Sequence, residues 1–271
     1  MRENPLTVVK VGGGAGIDPR GVCADVAAWA SGGQPIVVVH GASDRANRLS
    51  TAMGLQPRFL TSPSGHISRY TDPQARAIFV QAAHEANEEI VALLRGLGAA
   101  AIGLTGERSS LTAVRKQVLR AIVDGRTMVV RNDYSGKITA VDGDSLRSIL
   151  ASGQVPVVPP LARSESDGLL NVDADRAAAS IAAALGAESL MIFTNVPGLM
   201  SRYPQENSLV PRVDRDQLDQ ALDWAQGRMK RKVLSVQQAL DAGVRRVALA
   251  DGRQSHPLLR AFSGEGTWFN A

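Results

Sequence analysis

The chain has 271 residues, 44% hydrophobic and 21% charged, enough to bury a sizeable core as one large domain or two lobes. Its single cysteine, Cys23, excludes an internal disulfide framework, suits a reducing cytoplasm, and sits among apolar neighbours as a core residue. Charges, prolines or glycines interrupt every hydrophobic run before it could span a bilayer, and the N-terminus lacks the apolar stretch of a secretory signal. A soluble, cytoplasmic protein is expected.

In chain order, apolar β-branched runs at 7–11, 36–40, 99–104, 155–158, 190–194 and 246–250 predict buried strands. They alternate with helical patterns at 19–31, 73–95, 144–152, 174–185 and 229–242. That order predicts an α/β fold, a three-layer αβα sandwich around a largely parallel central sheet. Between the third strand and the helix at 144–152 the rhythm changes. Runs at 117–123 and 127–131 flank Asp124-Gly125 and predict a β-hairpin projecting from the sheet, with a third short strand at 137–141. The stretch 159–168, with Pro159, Pro160, Ser164, Ser166 and Gly168, predicts a boundary between lobes spanning 1–165 and 166–271.

The net charge of +4 is unevenly spread. Residues 108–137 hold seven lysines and arginines against two aspartates, so this segment alone carries +5 and the remainder is near neutral. Such a patch suits an acidic partner or reads as a solvated face. Nucleic acid is disfavoured, because aromatics make up only 4% of the chain and no nucleic-acid-binding motif is visible.

Two lysines sit where a phosphate would want a cation. Lys10 ends a predicted strand that breaks into VVKVGGGAG at 8–16, and Lys232 lies in GRMKRKV at 227–233, which opens a helix. Gly12, Gly13 and Gly14 carry no Cβ, so their amides can approach an anion closely. This is no Walker loop, since the one Gly-Lys pair, Gly136-Lys137, is followed by Ile138. Nor is it a dinucleotide fingerprint, which requires glycine where Ile17 stands.

Taken together the segments resemble the amino-acid kinase superfamily and, within it, the acetylglutamate-kinase branch. VVKVGGGAG resembles the family's first-strand lysine and glycine loop, PIVVVHGAS at 35–43 its second loop, and GHISRYTD at 65–72 its substrate-binding Arg-x-Thr-Asp element. The stretch 146–175 resembles the one ending in Asn-x-Asn-Ala-Asp; TNVPGLM at 194–200 and GRMKRKV resemble the nucleotide-side loop and the second phosphate lysine. The departures are specific. The second loop reads His40-Gly41-Ala42-Ser43 where His-Gly-Gly-Gly is usual, and Asp173 stands at the middle position of Asn171-Val172-Asp173-Ala174-Asp175. These, with the basic hairpin, resemble the kinases of carrier-protein lysine biosynthesis, which phosphorylate aminoadipate attached through its amino group to the C-terminal glutamate of a small acidic carrier.

The resemblance implies ATP and Mg²⁺ as cofactors and a side-chain carboxylate as acceptor. It implies a substrate-binding lobe over 1–165 and a nucleotide-binding lobe over 166–271. Lys10, Lys232 and Asp175 would be catalytic; Gly41, Ala42, Arg69 and Asn171 would bind substrate. Gly12, Gly13, Gly14 and Lys230 would bind nucleotide phosphates, and Arg115, Lys116 and Arg120, on a basic hairpin at about 115–141, would dock the carrier. No residue is assigned as a metal ligand. A homodimer is the family expectation. Locally, Asp173 or Asp175 also reads as a helix N-cap, and the roles of His66 and Asp173 stay open. Three alternatives stand beside this reading: an acetylglutamate kinase acting on a free substrate, a kinase for carrier-linked glutamate, and a non-catalytic nucleotide-binding regulator.

Overall fold

The structure, a computed structural model, describes all residues except 1–4, Ser64, His66 and Asp124, with Val123 described by its backbone alone. The chain opens with β1 (Thr7–Val11), α1 (Pro19–Ser31) and β2 (Ile36–His40), whose strand residues are all buried. Next come α2 (Ser43–Ala52), a short hairpin of β3 (Phe59–Thr61) and β4 (Ile67–Arg69), then α3 (Pro73–Gly96) and β5 (Ala101–Gly103). The basic segment supplies β6 (Leu111–Arg115), β7 (Leu119–Val123), β8 (Arg126–Val130) and β9 (Gly136–Val141). There follow α4 (Gly143–Ala151), β10 (Val155–Val158), β11 (Leu161–Ser164), β12 (Gly168–Asn171), α5 (Ala174–Leu185) and β13 (Ser189–Thr194). The last quarter holds β14 (Arg212–Val213), α6 (Leu218–Trp224), α7 (Arg228–Asp241), β15 (Arg246–Asp251), α8 (Pro257–Phe262) and β16 (Thr267–Asn270).

Among the described residues, eight strands form the main sheet in the order β14-β16-β15-β13-β1-β2-β10-β5. The run from β15 to β5 is parallel, and β16 pairs antiparallel with β15 at its edge. Helices cover both faces, which is why β1 and β2 are valine-rich without alternation. One face packs Leu146, Ile181 and Val236 from α4, α5 and α7; the other packs Val22, Ile90 and Leu258 from α1, α3 and α8. The helix starts are written in the sequence: Asp18 caps α1 and Asp72 caps α3, each followed by proline, and Asp173 caps α5 by accepting from the amides of Asp175 and Arg176.

Two expectations change. The projecting hairpin, β7 with β8, does not spring from the main sheet; it is flanked by β6 and β9, which belong to a second sheet of order β12-β11-β6-β9. The expected lobe boundary after residue 165 falls in the turn of the β11–β12 hairpin, whose strands pair from Leu161↔Asn171 to Ser164↔Gly168. Ser166 and Gly168, the latter at φ +72°, mark this tight reversal, while Pro159 and Pro160 precede β11, and the chain leaves this small sheet only at the start of α5. No helix among the described residues is long and apolar enough to cross a membrane.

Candidate active site

A cleft of about 1050 Å³ opens where the parallel strands β1, β2 and β13 end, the side on which open α/β sheets place ligands. Lys10 is the fourth residue of β1 and is buried. Asp175 lies in the first turn of α5, where the helix dipole favours an anion, and Lys232 reaches in from α7. Asp175 joins the other two: Oδ1 is 2.8 Å from Lys10 Nζ, and Oδ2 accepts a 2.9 Å hydrogen bond from Lys232 Nζ. Burial alone would raise the Asp175 pKa, but the two ammonium groups outweigh it and hold the carboxyl below the usual carboxylate range. Burial pushes Lys10 down from 10.5, with Asp175 opposing and Lys232 adding to the shift. One ionised carboxylate between two cations leaves a positive surplus fixed at the cleft floor, ready for an anion.

The two glycine loops meet above this bridge. The Gly13 carbonyl accepts from the Asp44 amide at 2.8 Å, and a Cβ on Gly12 would lie 2.2 Å from Ile17 Cδ1. Gly14 faces open space, with nothing within 4 Å of where its Cβ would be. Gly41, expected to bind substrate, has no amide free for it: its N–H is already given to the Val11 carbonyl at 3.0 Å. Ala42, one residue on, ends the loop at the start of α2 and lines the cleft with Ser43. His40 beneath is fully buried, within 3.3 Å of the Gly41 oxygen through Nδ1 and 3.1 Å of Asn87 Nδ2 through Nε2. Burial brings its pKa down to about 4, so the ring is neutral and structural.

On one side of the cleft Arg69 donates to the Ser43 carbonyl at 3.2 Å and to Asn47 Oδ1, with Phe59 against its guanidinium. Among the described residues it has no carboxylate partner, and its pKa is lowered by burial and by Arg228. Asn171, closing β12, donates to Thr71 Oγ1 at 3.0 Å, while the Thr71 amide donates to the buried Asp133 at 2.9 Å. Thr71 Oγ1 in turn donates to the Arg69 main-chain carbonyl at 3.4 Å, so Arg69 and Asn171 belong to one hydrogen-bonded group around Thr71. The cleft is also lined by Met200, Tyr203 and Met229. Cys23 is buried, its thiol pushed up to about 12 by burial.

Three expected site residues fall elsewhere. Lys230 is exposed and outside the residues lining the cleft, because two positions before Lys232 on a helix is the far face. Arg115 is braced, not free: it donates to the Asp133 carbonyl at 2.8 Å, pairs with Asp167 at 3.4 Å and stacks on Tyr134. Lys116 lines the cleft, so of the three docking cations only Arg120 stands on the projecting hairpin. Asp173 both caps α5 and pairs with Arg231 at 3.2 Å, which neutralises the charge this position adds. Arg231, which also donates to the Ile67 carbonyl across the cleft, was not singled out by sequence; its signal was the basic run around Lys232. His66 lies outside the described residues, as does Asp124 of the hairpin turn. Among the described residues no three His, Cys, Asp or Glu side chains gather as a metal-binding group.

The sequence pattern of the amino acid kinase family matches residues 5–251. The chain is 41% identical over 264 residues to a LysW-aminoadipate kinase of Deinococcus radiodurans, covering 97% of this chain and 90% of the relative. It is also 41% identical over 266 residues to a LysW-aminoadipate kinase of Thermus thermophilus, covering 97% and 99%. Among solved structures it is similar to an N-acetylglutamate synthase from Neisseria gonorrhoeae, with a TM-score of 0.81 and 26% identity; all of this chain is covered, spanning 60% of the length of that one. A carbamate kinase from Giardia lamblia bound to AMP-PNP shares the fold at a TM-score of 0.68 and 14% identity, covering 100% and 99%. With the lysine bridge at the floor of such a cleft, these similarities make the chain a member of the amino acid kinase family, a phosphotransferase.

Proposed function

We propose that the chain transfers the γ-phosphoryl group of ATP to the side-chain carboxylate of α-aminoadipate borne on the C-terminal glutamate of an acidic carrier protein. The observation that carries the phosphoryl-transfer reading is the bridge Lys10–Asp175–Lys232, two cations fixed by one carboxylate at the cleft floor. The acceptor is inferred from the relatives, whose names specify LysW-aminoadipate.

The acceptor carboxylate, with an ordinary side-chain carboxyl pKa of about 4.3, is ionised at neutral pH, so the reaction needs no general base. Its oxygen forms a bond to the γ-phosphorus as the bond from that phosphorus to the bridging oxygen breaks. The electron pair leaves on ADP, an acyl phosphate forms, and no proton moves. Lys10 and Lys232 stabilise the charge on the transferring group from two sides, and Asp175 keeps both ammonium groups oriented. Gly13 and Gly14 offer amides to the phosphates, and the open space at Gly14 leaves room for them. Mg²⁺, bound to the nucleotide, would neutralise phosphate charge. A cleft of this volume suits a nucleotide and an acceptor end to end, with Met200, Tyr203 and Met229 against the base. Arg69 grips an acceptor carboxylate in a fork, and Asn171 supplies an amide.

The hairpin adds long-range attraction for an acidic protein through Arg120, Arg126 and Arg131. The deciding experiment measures ADP release with carrier-linked aminoadipate, carrier-linked glutamate and free N-acetylglutamate side by side. Turnover confined to carrier-linked aminoadipate supports the reading. Equal or better use of free N-acetylglutamate replaces it with the arginine-pathway activity, and no turnover of any acceptor leaves a nucleotide-binding regulator.

A further inference from the structure

An acceptor carried on glutamate differs from an N-acetylated one by a countable group. Glutamate has two carboxyls besides its amino group, and the amide to the acceptor consumes one of them. The other stays free, so the carried acceptor brings three carboxylates into the cleft where an N-acetyl acceptor brings two. One is phosphorylated and one faces Arg69, which leaves the third without a partner in the site described above.

The cleft holds cations that this site leaves unused. Lys116 follows β6 at the base of the hairpin, where its amide donates to the Ser135 carbonyl at 3.0 Å, and it lines the cleft. Arg176 follows Asp175 in α5 and lines the same cleft, as does Arg231, beside Lys232. The acidic residues near them are spent. Asp173 accepts through Oδ1 from the amides of Asp175 and Arg176 and through Oδ2 from Arg231. Asp133 accepts from the Thr71 amide and from the amide and hydroxyl of Ser135. Among the described residues neither Lys116 nor Arg176 forms an ion pair through its side chain. Lys116 and Arg176 are both solvent-exposed on the cleft wall. Partial desolvation by the surrounding protein lowers the Lys116 pKa from the usual lysine range; Asp133 and Asp173 oppose this, while Arg176 and Arg231 add to it. Like charges gathered in a cleft are relieved when an anion joins them.

We infer that Lys116 and Arg176, beside Arg231, form a second anion subsite in the cleft, which takes the free carboxylate of the glutamate that carries the acceptor. The inference rests on the carrier-borne reading above. Its place supports it: Arg176 and Arg231 directly adjoin Asp175 and Lys232 in sequence, while Lys116 stands at the foot of the docking hairpin. An acceptor tethered to a protein on that hairpin passes this point on its way to the lysine bridge.

The test uses the full-length protein with three acceptors: carrier-linked aminoadipate, a glutamyl-aminoadipate dipeptide that keeps the free carboxylate, and N-acetylaminoadipate, which lacks it. Lys116→Gln and Arg176→Gln are expected to raise KM for the first two about tenfold or more, as for loss of one charge-assisted contact. The KM for ATP, the melting temperature and the kcat/KM for N-acetylaminoadipate should not move; if that acceptor turns over too slowly, its inhibition constant against the dipeptide serves. A variant that uses the dipeptide as well as the wild type does, or that loses all three acceptors alike, overturns the subsite. Wild-type protein that phosphorylates neither the carrier-linked acceptor nor the dipeptide overturns the carrier-borne reading itself, a separate outcome.

Discussion

Gly13 and Gly41 meet backbone to backbone: a Cβ on Gly13 would come within 2.2 Å of the Gly41 carbonyl carbon, and one on Gly41 within 2.6 Å of the Gly13 nitrogen. Neither obstacle is a flexible side chain that could move aside. Gly13→Ala is therefore expected to displace a loop and cost about 1–3 kcal/mol or more, as overpacking does. Gly14→Ala meets no protein atom within 4 Å and should leave stability unchanged while raising KM for ATP. Denaturation midpoints and ATP kinetics on the two variants separate a packing glycine from a phosphate-facing one. Equal stability losses would refute the distinction.

Lys10 and Lys232 share Asp175, but they are not equally embedded. Lys10 is the more buried of the two, so Lys10→Ala leaves a buried carboxylate with one partner and should cost stability as well as turnover. Lys232→Ala should lower kcat by about a hundredfold or more with a smaller stability loss. Urea unfolding beside single-turnover kinetics checks both halves. Near-normal kcat in Lys232→Ala would remove it from the chemistry.

His40 makes the fold acid-sensitive. Its pKa is near 4 in the folded protein, against an ordinary 6.5. Between those values the unfolded chain takes up a proton that the folded one refuses, so stability is full above about pH 6.5 and falls as pH drops towards 4. The difference amounts to about 3 kcal/mol. Asp175, held below its ordinary value, contributes stability that is full above about pH 4 and lost only at lower pH, so the two groups titrate in separate windows. Unfolding free energies measured at pH 7 and pH 5 should differ in the wild type and differ less in His40→Asn. An unchanged pH dependence in that variant would contradict the assignment.

Arg69 is expected not to tolerate lysine. An ammonium cannot hold Asn47 and the Ser43 carbonyl while presenting a planar fork to a carboxylate. Arg69→Lys should raise the acceptor KM and leave that of ATP unchanged. Loss of ATP affinity as well would make the residue structural.

The hairpin charges should act through rate, not through contact at the lysines. Reversing Arg120, Arg126 and Arg131 to Glu is expected to slow use of a carrier-linked acceptor, and rising salt should slow the wild type, because screening acts over about 8 Å at physiological ionic strength. Arg115 is left out of the set, since its tie to Asp167 and Tyr134 makes its loss a packing change. Salt-independent kcat/KM in both proteins would reduce the hairpin to a solvated face.

The buried strands and the helix starts were legible in the sequence, because each is set by local patterns: valine runs for β1 and β2, and Asp-Pro caps for α1 and α3. The motifs likewise brought forward Lys10, Asp175 and Lys232, which the fold gathers through contacts of 2.8 and 2.9 Å. Spacing along one chain could not say which charges are spent. The amide of Gly41 is used by Val11, Asp173 by Arg231 and Arg115 by Asp167, and each partner lies distant in sequence. Nor could it show that the 161–171 segment is a hairpin of a second sheet, since serine and glycine mark a turn without saying what its two arms pair with. Local sequence sets backbone preference and burial pattern. Whether a charged group is free to act depends on what long-range packing brings to it, and that was decided by the tertiary structure alone.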